Sequence, residues 1–174
     1  MAAAAAATTA RLFVALWPDA TVRAALAAWR DACIWPARAA VVATPKLHMT
    51  LHFIGDVAAD RLPAIVQGLR VPLQRFELVL DQCVAWPGGL VVLQPGQTPA
   101  ALLALHAACA DALRALELPL ERRPFRAHVT LARGASGAGL AALSAAPRWR
   151  VDGYCLVRSH RASGGDYEVL ARWA

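Results

Sequence analysis

The chain has 174 residues and a formal net charge of +6, from 18 Lys and Arg against 12 Asp and Glu. Hydrophobic residues make up 58% of the sequence, which is enough for a sizeable core and excludes a wholly disordered chain. No apolar run reaches the length of about eighteen residues that a membrane-spanning helix needs. All but one of the basic residues are arginine, whose planar guanidinium binds phosphate through paired hydrogen bonds, so the composition favours a phosphate-bearing partner.

The cysteines and the N-terminus indicate the compartment and the domain organisation. The four cysteines form no Cys-x-x-Cys pair, and the alanine-rich start lacks the basic residues of a signal peptide. We therefore predict neither a zinc ribbon nor a disulfide framework, and a protein of the reducing cytoplasm. We expect a disordered tail over residues 1–10, a single domain over residues 11–174, a monomer, and no obligate protein partner.

Hydrophobic periodicity predicts strands and helices in alternation. The apolar run Arg11–Trp17 is a predicted strand. Asp19 is the predicted N-cap of a helix that ends near Cys33. The alternating segment LHMTLHFIG is a predicted strand that ends at Gly55, and a helix is predicted over Asp60–Leu69.

The second half of the chain repeats this pattern. FELVLDQCVAW and LVVLQ are predicted to form a hairpin across residues 87–89. Thr98 is the predicted N-cap of a long helix with Pro99 as its first residue. AHVTLAR is a predicted strand that ends at Gly134, and the glycine- and alanine-rich segment through Ala146 is predicted to hold a short helix. RWRVDGYCLVRS and DYEVLARW are the final two predicted strands.

One short motif occurs twice. The pattern His-x-Thr-Leu stands at residues 48–51 and again, 80 residues later, at residues 128–131. A period of two places each histidine and its threonine on one face of a strand, so two such strands side by side would bring two imidazoles and two hydroxyls to a common cleft. This set suits phosphate-ester chemistry, with one neutral histidine as base, one protonated histidine as acid, and hydroxyls as donors to the phosphate. Such chemistry requires no metal.

Two other interpretations of the histidines stay open at this point. Each histidine could be a structural residue of its strand, although its repetition in equivalent contexts, followed by leucine and closed by glycine, argues against this. A zinc site is the other possibility. The two motifs carry no neighbouring carboxylate or cysteine at a spacing typical of zinc ligands, so the sequence does not favour it.

The sequence resembles the two-histidine (2H) phosphoesterases, and among them the bacterial and archaeal RNA 2′,3′-cyclic phosphodiesterases, formerly called 2′-5′ RNA ligases. The resemblance is carried by RLFVALWPD, LHMTLHFIGDV, FRAHVTLAR and the closing LVRS and YEVLARW. It implies an α+β fold of two pseudo-symmetric lobes, each an antiparallel sheet with helices outside, around a central cleft. Ala127 departs from the family, which usually has proline before the second histidine, but proline there would supply no catalytic group.

The resemblance also implies roles for the motif residues. Enzymes of this family open a 2′,3′-cyclic phosphate at an RNA end to a 2′-phosphate, and reversible 2′-5′ ligation can accompany this reaction. By similarity, His48 is the proton donor to the departing 3′-oxygen, and His128 is the proton acceptor that activates water. Thr50 and Thr130 donate hydrogen bonds to the phosphate. The residues alone do not distinguish the two histidines, and neither a metal nor a cofactor is expected.

Four further residues are candidates for substrate binding. Arg133 lies on the core face of its strand if the strand is regular, but the resemblance favours a place in the cleft, where its guanidinium would bind the phosphate. Phe13 and Trp35 are candidates for stacking on a terminal base. His52 shares the predicted strand face of His48, so it could line the cleft or tune the pKa of that histidine.

The charge pattern of the second half favours RNA as the partner. Between residues 122 and 161 a single acid, Asp152, faces eight arginines, a predicted electrostatic footprint for RNA. These are Arg122, Arg123, Arg126, Arg133, Arg148, Arg150, Arg158 and Arg161. His106 and His160 are predicted to be non-catalytic. Two alternative functions stay open: a related 2H phosphoesterase that acts on a small cyclic phosphate, such as an ADP-ribose cyclic phosphate, and a non-catalytic RNA-binding module.

Overall fold

A computed structural model describes residues 9–142, 145–160 and 165–174. Within these ranges the chain forms ten β-strands and three α-helices. The strands are β1 (Thr9–Leu16), β2 (Ala40–Val41), β3 (Met49–Ala58), β4 (Phe76–Val79), β5 (Gln82–Trp86), β6 (Leu90–Gln94), β7 (Val129–Arg133), β8 (Arg148–Val151), β9 (Tyr154–His160) and β10 (Asp166–Trp173). The helices are α1 (Ala20–Ala32), α2 (Leu62–Gly68) and α3 (Ala100–Ala115).

Two four-stranded antiparallel sheets form the frame. The first has the strand order β10-β9-β1-β3, and the second has the order β2-β7-β6-β5. A separate pair joins β4 to β8. The two sheets and the helices confirm the expected α+β class, and each sheet carries one His-x-Thr motif, the first beside β3 and the second beside β7.

One hydrophobic core joins the two sheets and all three helices. In β1, Leu12, Val14 and Leu16 point into this core. The alternate residues Phe13 and Ala15 point to the opposite face of the first sheet and pack in a second, smaller cluster with residues of β9. This alternation gives the first sheet one face for the core and another for a site.

Several helix predictions are confirmed, and others need correction. Asp19 is the N-cap of α1, because its carboxylate accepts a hydrogen bond from the Val22 N–H at 2.8 Å. Thr98 is not the N-cap of α3: Pro99 occupies the cap position itself and offers no side-chain hydrogen bond. Helix α2 is shorter than predicted, since Ala59–Arg61 forms a 3₁₀ turn before it. None of the described helices is both long and apolar enough to span a bilayer.

Four predictions for the other segments were wrong. The strand β3 continues through Gly55, which has a φ of 87° within a bulge, to Ala58. The β5–β6 hairpin forms, but β4 leaves it to pair with β8, and three strands rather than two follow residue 147. No helix forms in residues 134–142 or 145–146 of the glycine- and alanine-rich segment, where Gly139 instead pairs with Ile34. Most of the predicted tail lies outside the described residues, although Thr9 and Ala10 already pair with β3.

Candidate active site

A cleft of about 600 Å³ contains both copies of the repeated motif. His48 directly precedes β3 and Thr50 lies in it, while His128 directly precedes β7 and Thr130 lies in that strand; all four line the cleft. Arg133, at the end of β7, completes the group. The structure therefore brings together all four residues for which the sequence predicts catalytic roles, although 80 residues separate the two motifs.

Both catalytic candidates have the same ring orientation. The Nδ1 of His48 lies 2.7 Å from the carbonyl oxygen of Lys46, and the Nδ1 of His128 lies 2.6 Å from the carbonyl oxygen of Arg126. Because a carbonyl only accepts, each Nδ1 carries the proton and donates it. A neutral ring with this tautomer leaves its Nε2 without a proton, free to accept one. The same contact, to the residue two positions before the histidine, thus prepares both rings for proton transfer.

The surroundings of the two rings differ. His48 lies among three aromatic rings, with centroids 5.0 Å from Phe13, 5.5 Å from Trp17 and 5.3 Å from Tyr167. Its Nε2 is 3.1 Å from the Thr50 hydroxyl oxygen. This hydroxyl can donate to the neutral ring or accept from the protonated one, so His48 keeps a partner in either protonation state.

The ring of His128 has a single aromatic neighbour among the described residues. Its centroid is 4.6 Å from that of Trp86. The Arg126 guanidinium lies over the Trp86 indole, 3.8 Å from the centroid of that ring. The Trp86 indole N–H in turn donates to Gln94 at 3.1 Å. The second histidine is thus supported by a hydrogen-bonded tryptophan rather than enclosed by an aromatic group.

Burial lowers the pKa of both histidines. For His48, the positive charge of Arg133 and the proximity of His128 act in the same direction. For His128, Arg126 and Arg133 add to the effect of burial. In both, the hydrogen bond to the backbone carbonyl opposes the decrease. Both rings are therefore neutral in the free cleft at pH 7, and an anionic ligand favours protonation of one of them.

A β-bulge follows each motif threonine. On β3, Thr50 pairs with Ala15 and His52 with the next residue, Val14, so that Leu51 has no partner of its own. On β7, Leu131 is bypassed in the same way, between Thr130 and Ala132. In each bulge the leucine and the residue after it are both buried. The side chains beyond each bulge therefore face the opposite way from those of a regular strand.

The second bulge explains how Arg133 reaches the cleft. A regular strand would place Arg133 on the core face with Leu131, but the bulge turns it to the face of Thr130, where it lines the cleft. The side chain is exposed, and within the described residues no carboxylate pairs with it. The two other cations that line the cleft do have such partners, Arg11 with Asp56 and Lys46 with Asp166. Arg133 thus supplies a positive charge that is not neutralised.

The first bulge overturns the prediction for His52. Instead of lining the cleft beside His48, His52 is buried in the core, stacked on His106 with ring centroids 4.0 Å apart. Its Nε2 is 2.8 Å from the His106 carbonyl oxygen, and burial lowers its pKa. His106 stacks in turn on Phe125, at 4.1 Å. The His52 side chain therefore packs against His106 inside the protein and does not line the cleft.

The two candidates for base stacking, Trp35 and Phe13, lie in different environments. Trp35 packs against the core, donates its indole N–H to the Arg30 carbonyl at 3.0 Å, and is not among the residues that line the cleft. Phe13 does line the cleft, but it is buried between His48 and Tyr167. Its ring supports the imidazole instead of presenting a free face to a base.

Sequence reasoning missed Phe53, as it missed the aromatic neighbours of the two histidines, Trp17, Tyr167 and Trp86. Period-two alternation places Phe53 on the core face of β3, but the bulge at Leu51 turns it into the cleft, where it is 40% exposed. The Arg11 guanidinium lies 4.6 Å from its ring centroid. Phe53 and Arg133 are each the fifth residue after a motif histidine, but they are different residue types, so no repeat in the sequence marks this position.

The remaining sequence candidates are only partly accounted for by the structure. Several of the eight arginines have acidic or aromatic partners: Arg123 pairs with Glu121, Arg148 with Glu77, and Arg126 lies over Trp86. Arg161 lies outside the described residues. The Nε2 of His160 forms a hydrogen bond with a carboxylate oxygen of Glu168, at 2.9 Å. In the part of the chain that the structure describes, no three His, Cys, Asp or Glu side chains are grouped as metal ligands.

Comparisons with known proteins agree with this geometry. The family model of the 2′-5′ RNA ligase superfamily matches residues 17–163. The chain is 31% identical to the RNA 2′,3′-cyclic phosphodiesterase of Escherichia coli K12, over 94% of this chain and 96% of that protein. The structure of E. coli LigT complexed with 3′-AMP superposes with a TM-score of 0.82 at 30% identity and covers 96% of this chain and 98% of its own.

A structure from a second organism gives the same result. TT0787 of Thermus thermophilus matches with a TM-score of 0.75 at 27% identity, over 94% of this chain and 96% of its own. The family model extends over most of the chain and includes both histidine motifs. These matches, together with the duplicated motif in one cleft, lead to one conclusion: the chain belongs to the 2′-5′ RNA ligase superfamily.

Proposed function

We propose that this protein hydrolyses 2′,3′-cyclic phosphate ends of RNA to 2′-phosphates, without a metal ion, by general acid and base catalysis from His48 and His128. The observation that carries the proposal is that the same type of hydrogen bond orients both imidazole rings. Each donates its Nδ1 proton to a backbone carbonyl and leaves its Nε2 for proton transfer in the same cleft. The E. coli relative, whose name states this activity, supports the choice of substrate.

In the proposed reaction, water attacks the phosphorus atom while the bond from phosphorus to the 3′-oxygen breaks. The Nε2 of His128 takes a proton from the attacking water, and the protonated Nε2 of His48 donates a proton to the departing 3′-oxygen. The product then carries a 2′-phosphate and a 3′-hydroxyl. The aromatic surroundings of His48 and its contact with Thr50 support this assignment, since Thr50 can accept from the protonated ring and still turn its own proton to the phosphate.

The charge of the transferring group is balanced by side chains of the cleft. Thr50 and Thr130 donate to the non-bridging oxygens, and the unpaired Arg133 offers a guanidinium fork to the same group. Positive charge in a partly dehydrated cleft stabilises the negative charge that builds up on the phosphoryl oxygens. Because side chains provide the acid, the base and the countercharge, the proposed reaction needs no bound cation.

The terminal base of the RNA is proposed to stack on Phe53 rather than on Phe13 or Trp35. Phe53 exposes its ring to the cleft, whereas the other two are packed against protein. The unpaired arginines of the second half would attract the remaining nucleotides. We further propose that one bilobal domain, expected over residues 11–174 and extended by the pairing of Thr9 and Ala10 with β3, acts as a monomer in the cytoplasm. The monomer is supported by the cleft, which residues of a single chain build.

An oligoribonucleotide with a 2′,3′-cyclic phosphate end, incubated with the protein in EDTA, tests this function. We expect full turnover in the chelator and a 2′-phosphate as the only product. Loss of activity in EDTA that a divalent ion restores would rule out the metal-free mechanism. Turnover of a small cyclic phosphate without turnover of the oligonucleotide would assign the protein to the other branch considered from the sequence.

A further inference from the structure

A second cavity, of about 710 Å³, adjoins the cleft beyond Trp17. Its walls include Trp17 and Trp149 together with three arginines, Arg23, Arg150 and Arg172, none of which lines the cleft. The Trp17 ring stacks on His48 at 5.5 Å and lies 5.7 Å from the Arg23 guanidinium. A single indole ring therefore connects the catalytic histidine to an arginine of the second cavity.

The three arginines of this cavity lack acidic partners. Within the described residues, no carboxylate lies within 4.0 Å of a guanidinium nitrogen of Arg23, Arg150 or Arg172. The Arg23 Nη2 donates to the Pro18 carbonyl at 2.9 Å, while its buried Nε has no hydrogen-bond partner among the described residues. This one buried donor of a partly exposed side chain is therefore not satisfied by the described part of the protein.

The wall of the cavity carries three arginines against two aspartates, so its formal charge is positive by one. Two aspartates, Asp19 and Asp152, also line it, but one carboxylate oxygen of Asp19 is engaged in capping α1. Burial lowers the pKa of Arg23, and the nearby positive charge of Arg172 lowers it further, more than Asp19 offsets. Two like charges held together in a cavity repel each other, and an anion bound between them removes this repulsion.

We propose that this second cavity is a phosphate subsite, and that it binds a backbone phosphate of the RNA whose cyclic end occupies the cleft. This inference rests on the proposed function, because the phosphate comes from the proposed RNA substrate. The arginine fork matches the geometry of a phosphate, and the exposed position of Arg172 leaves its guanidinium accessible to a ligand from solvent.

Two substrates that differ only in backbone phosphates test the subsite. One is a mononucleoside 2′,3′-cyclic phosphate, and the other is an oligoribonucleotide that ends in the same nucleoside cyclic phosphate. We expect Arg172→Gln to raise KM for the oligonucleotide about three- to tenfold, as for the loss of a partly exposed charge contact. The same variant should leave kcat for the oligonucleotide and both constants for the mononucleotide unchanged. Arg75→Gln, which removes an exposed arginine outside both cavities, is the matched control.

The salt dependence gives a second readout. A plot of log KM for the oligonucleotide against log salt concentration should lose about 0.7 units of slope in Arg172→Gln, the value for one phosphate contact on a single strand. A variant with unchanged KM and slope, or with equal effects on both substrates, would overturn the subsite. Arg150→Gln provides an independent substitution on a second, exposed wall residue.

Failure of the subsite and failure of the proposed function have different signatures. If the wild-type protein turns over neither substrate, the proposed function fails, and the subsite is tested by calorimetric titration with the oligonucleotide and with inorganic phosphate. Weaker oligonucleotide binding in Arg172→Gln than in Arg75→Gln would support a backbone-phosphate site. Weaker binding of inorganic phosphate alone would replace it with a site for free phosphate, and unchanged binding of both would overturn it.

Discussion

Replacing Phe53 tests whether the bulge on β3 creates a base-binding surface. The ring is 40% exposed in the cleft, and the Arg11 guanidinium lies over it, 4.6 Å from the centroid. Stacking of a base on an aromatic side chain contributes about 1–3 kcal/mol, which corresponds to about 5- to 150-fold in binding. Because the ring does not touch the reacting atoms in the proposed reaction, Phe53→Ala should raise KM by this factor and leave kcat nearly unchanged.

The stability of the variant should change much less than its affinity. Phe53 is outside both hydrophobic clusters, so the main contact that its truncation removes is the exposed cation–π contact with Arg11, about 1 kcal/mol or less. Urea unfolding measures this directly, and steady-state kinetics on an oligoribonucleotide with a cyclic end measures KM and kcat.

Three further variants make the experiment decisive. Phe53→Trp should preserve KM, since it keeps an aromatic face, whereas Phe53→Leu should behave like Phe53→Ala although it keeps apolar volume. Leu103→Ala removes a similarly exposed apolar side chain from α3, outside the cleft, and serves as the control. An unchanged KM in Phe53→Ala, or a loss confined to kcat, would refute the role of this ring in binding the base.

The other predictions concern the histidines. His48→Ala and His128→Ala should each lower kcat by about 10²–10⁴-fold. The double variant should lose much less than the product of the two effects, because both groups act in one transition state. Full activity in His128→Ala would refute the pair, and His160→Ala is the control. Because burial lowers both pKa values below 6.5, kcat/KM should follow a bell-shaped profile with its maximum below pH 6.5, and a steady rise from about pH 5 to 9 would contradict it. Acid should also destabilise the fold through the stacked rings of His52 and His106. Burial lowers the pKa of His106 to about 4 and lowers that of His52 as well, so the unfolded chain binds protons at a higher pH than the folded one. The free energy of unfolding should therefore fall from pH 6.5 towards pH 4. Urea unfolding at several pH values checks this decrease, which His106→Phe should reduce, and a pH-independent free energy in the wild type would contradict it.

The residues up to each motif threonine could be predicted from the sequence because strand alternation is a local property. His48, Thr50, His128 and Thr130 all face the cleft, as a period of two requires. The prediction failed after the threonines, since a bulge depends on how a strand pairs with its neighbour, and no local pattern encodes that register. His52 is the clearest case: one unpaired residue before it moves its side chain from the cleft to the core.

Long-range packing accounts for the other differences. The segment FELVLDQCVAW has the composition of one strand, but its first part pairs with β8, more than sixty residues later in the chain. Trp35 has the features of an exposed aromatic residue in a loop, yet the Arg30 carbonyl and the core provide its partners. Such partners become visible only when the whole chain is folded.

The two bulges place different side chains at the same distance along the chain from the two motif histidines. The first lobe presents the apolar ring of Phe53 there, and the second presents the charge of Arg133. An RNA end has a matching polarity, with a flat apolar base on one side of the ribose and an anionic phosphate on the other. In the proposed reaction the base lies against Phe53 and the phosphate lies against the unpaired charge of Arg133, whereas the reverse direction would leave the phosphate without that countercharge. In the proposed reaction, the direction in which the RNA end enters therefore gives different tasks to two histidines that share one tautomer.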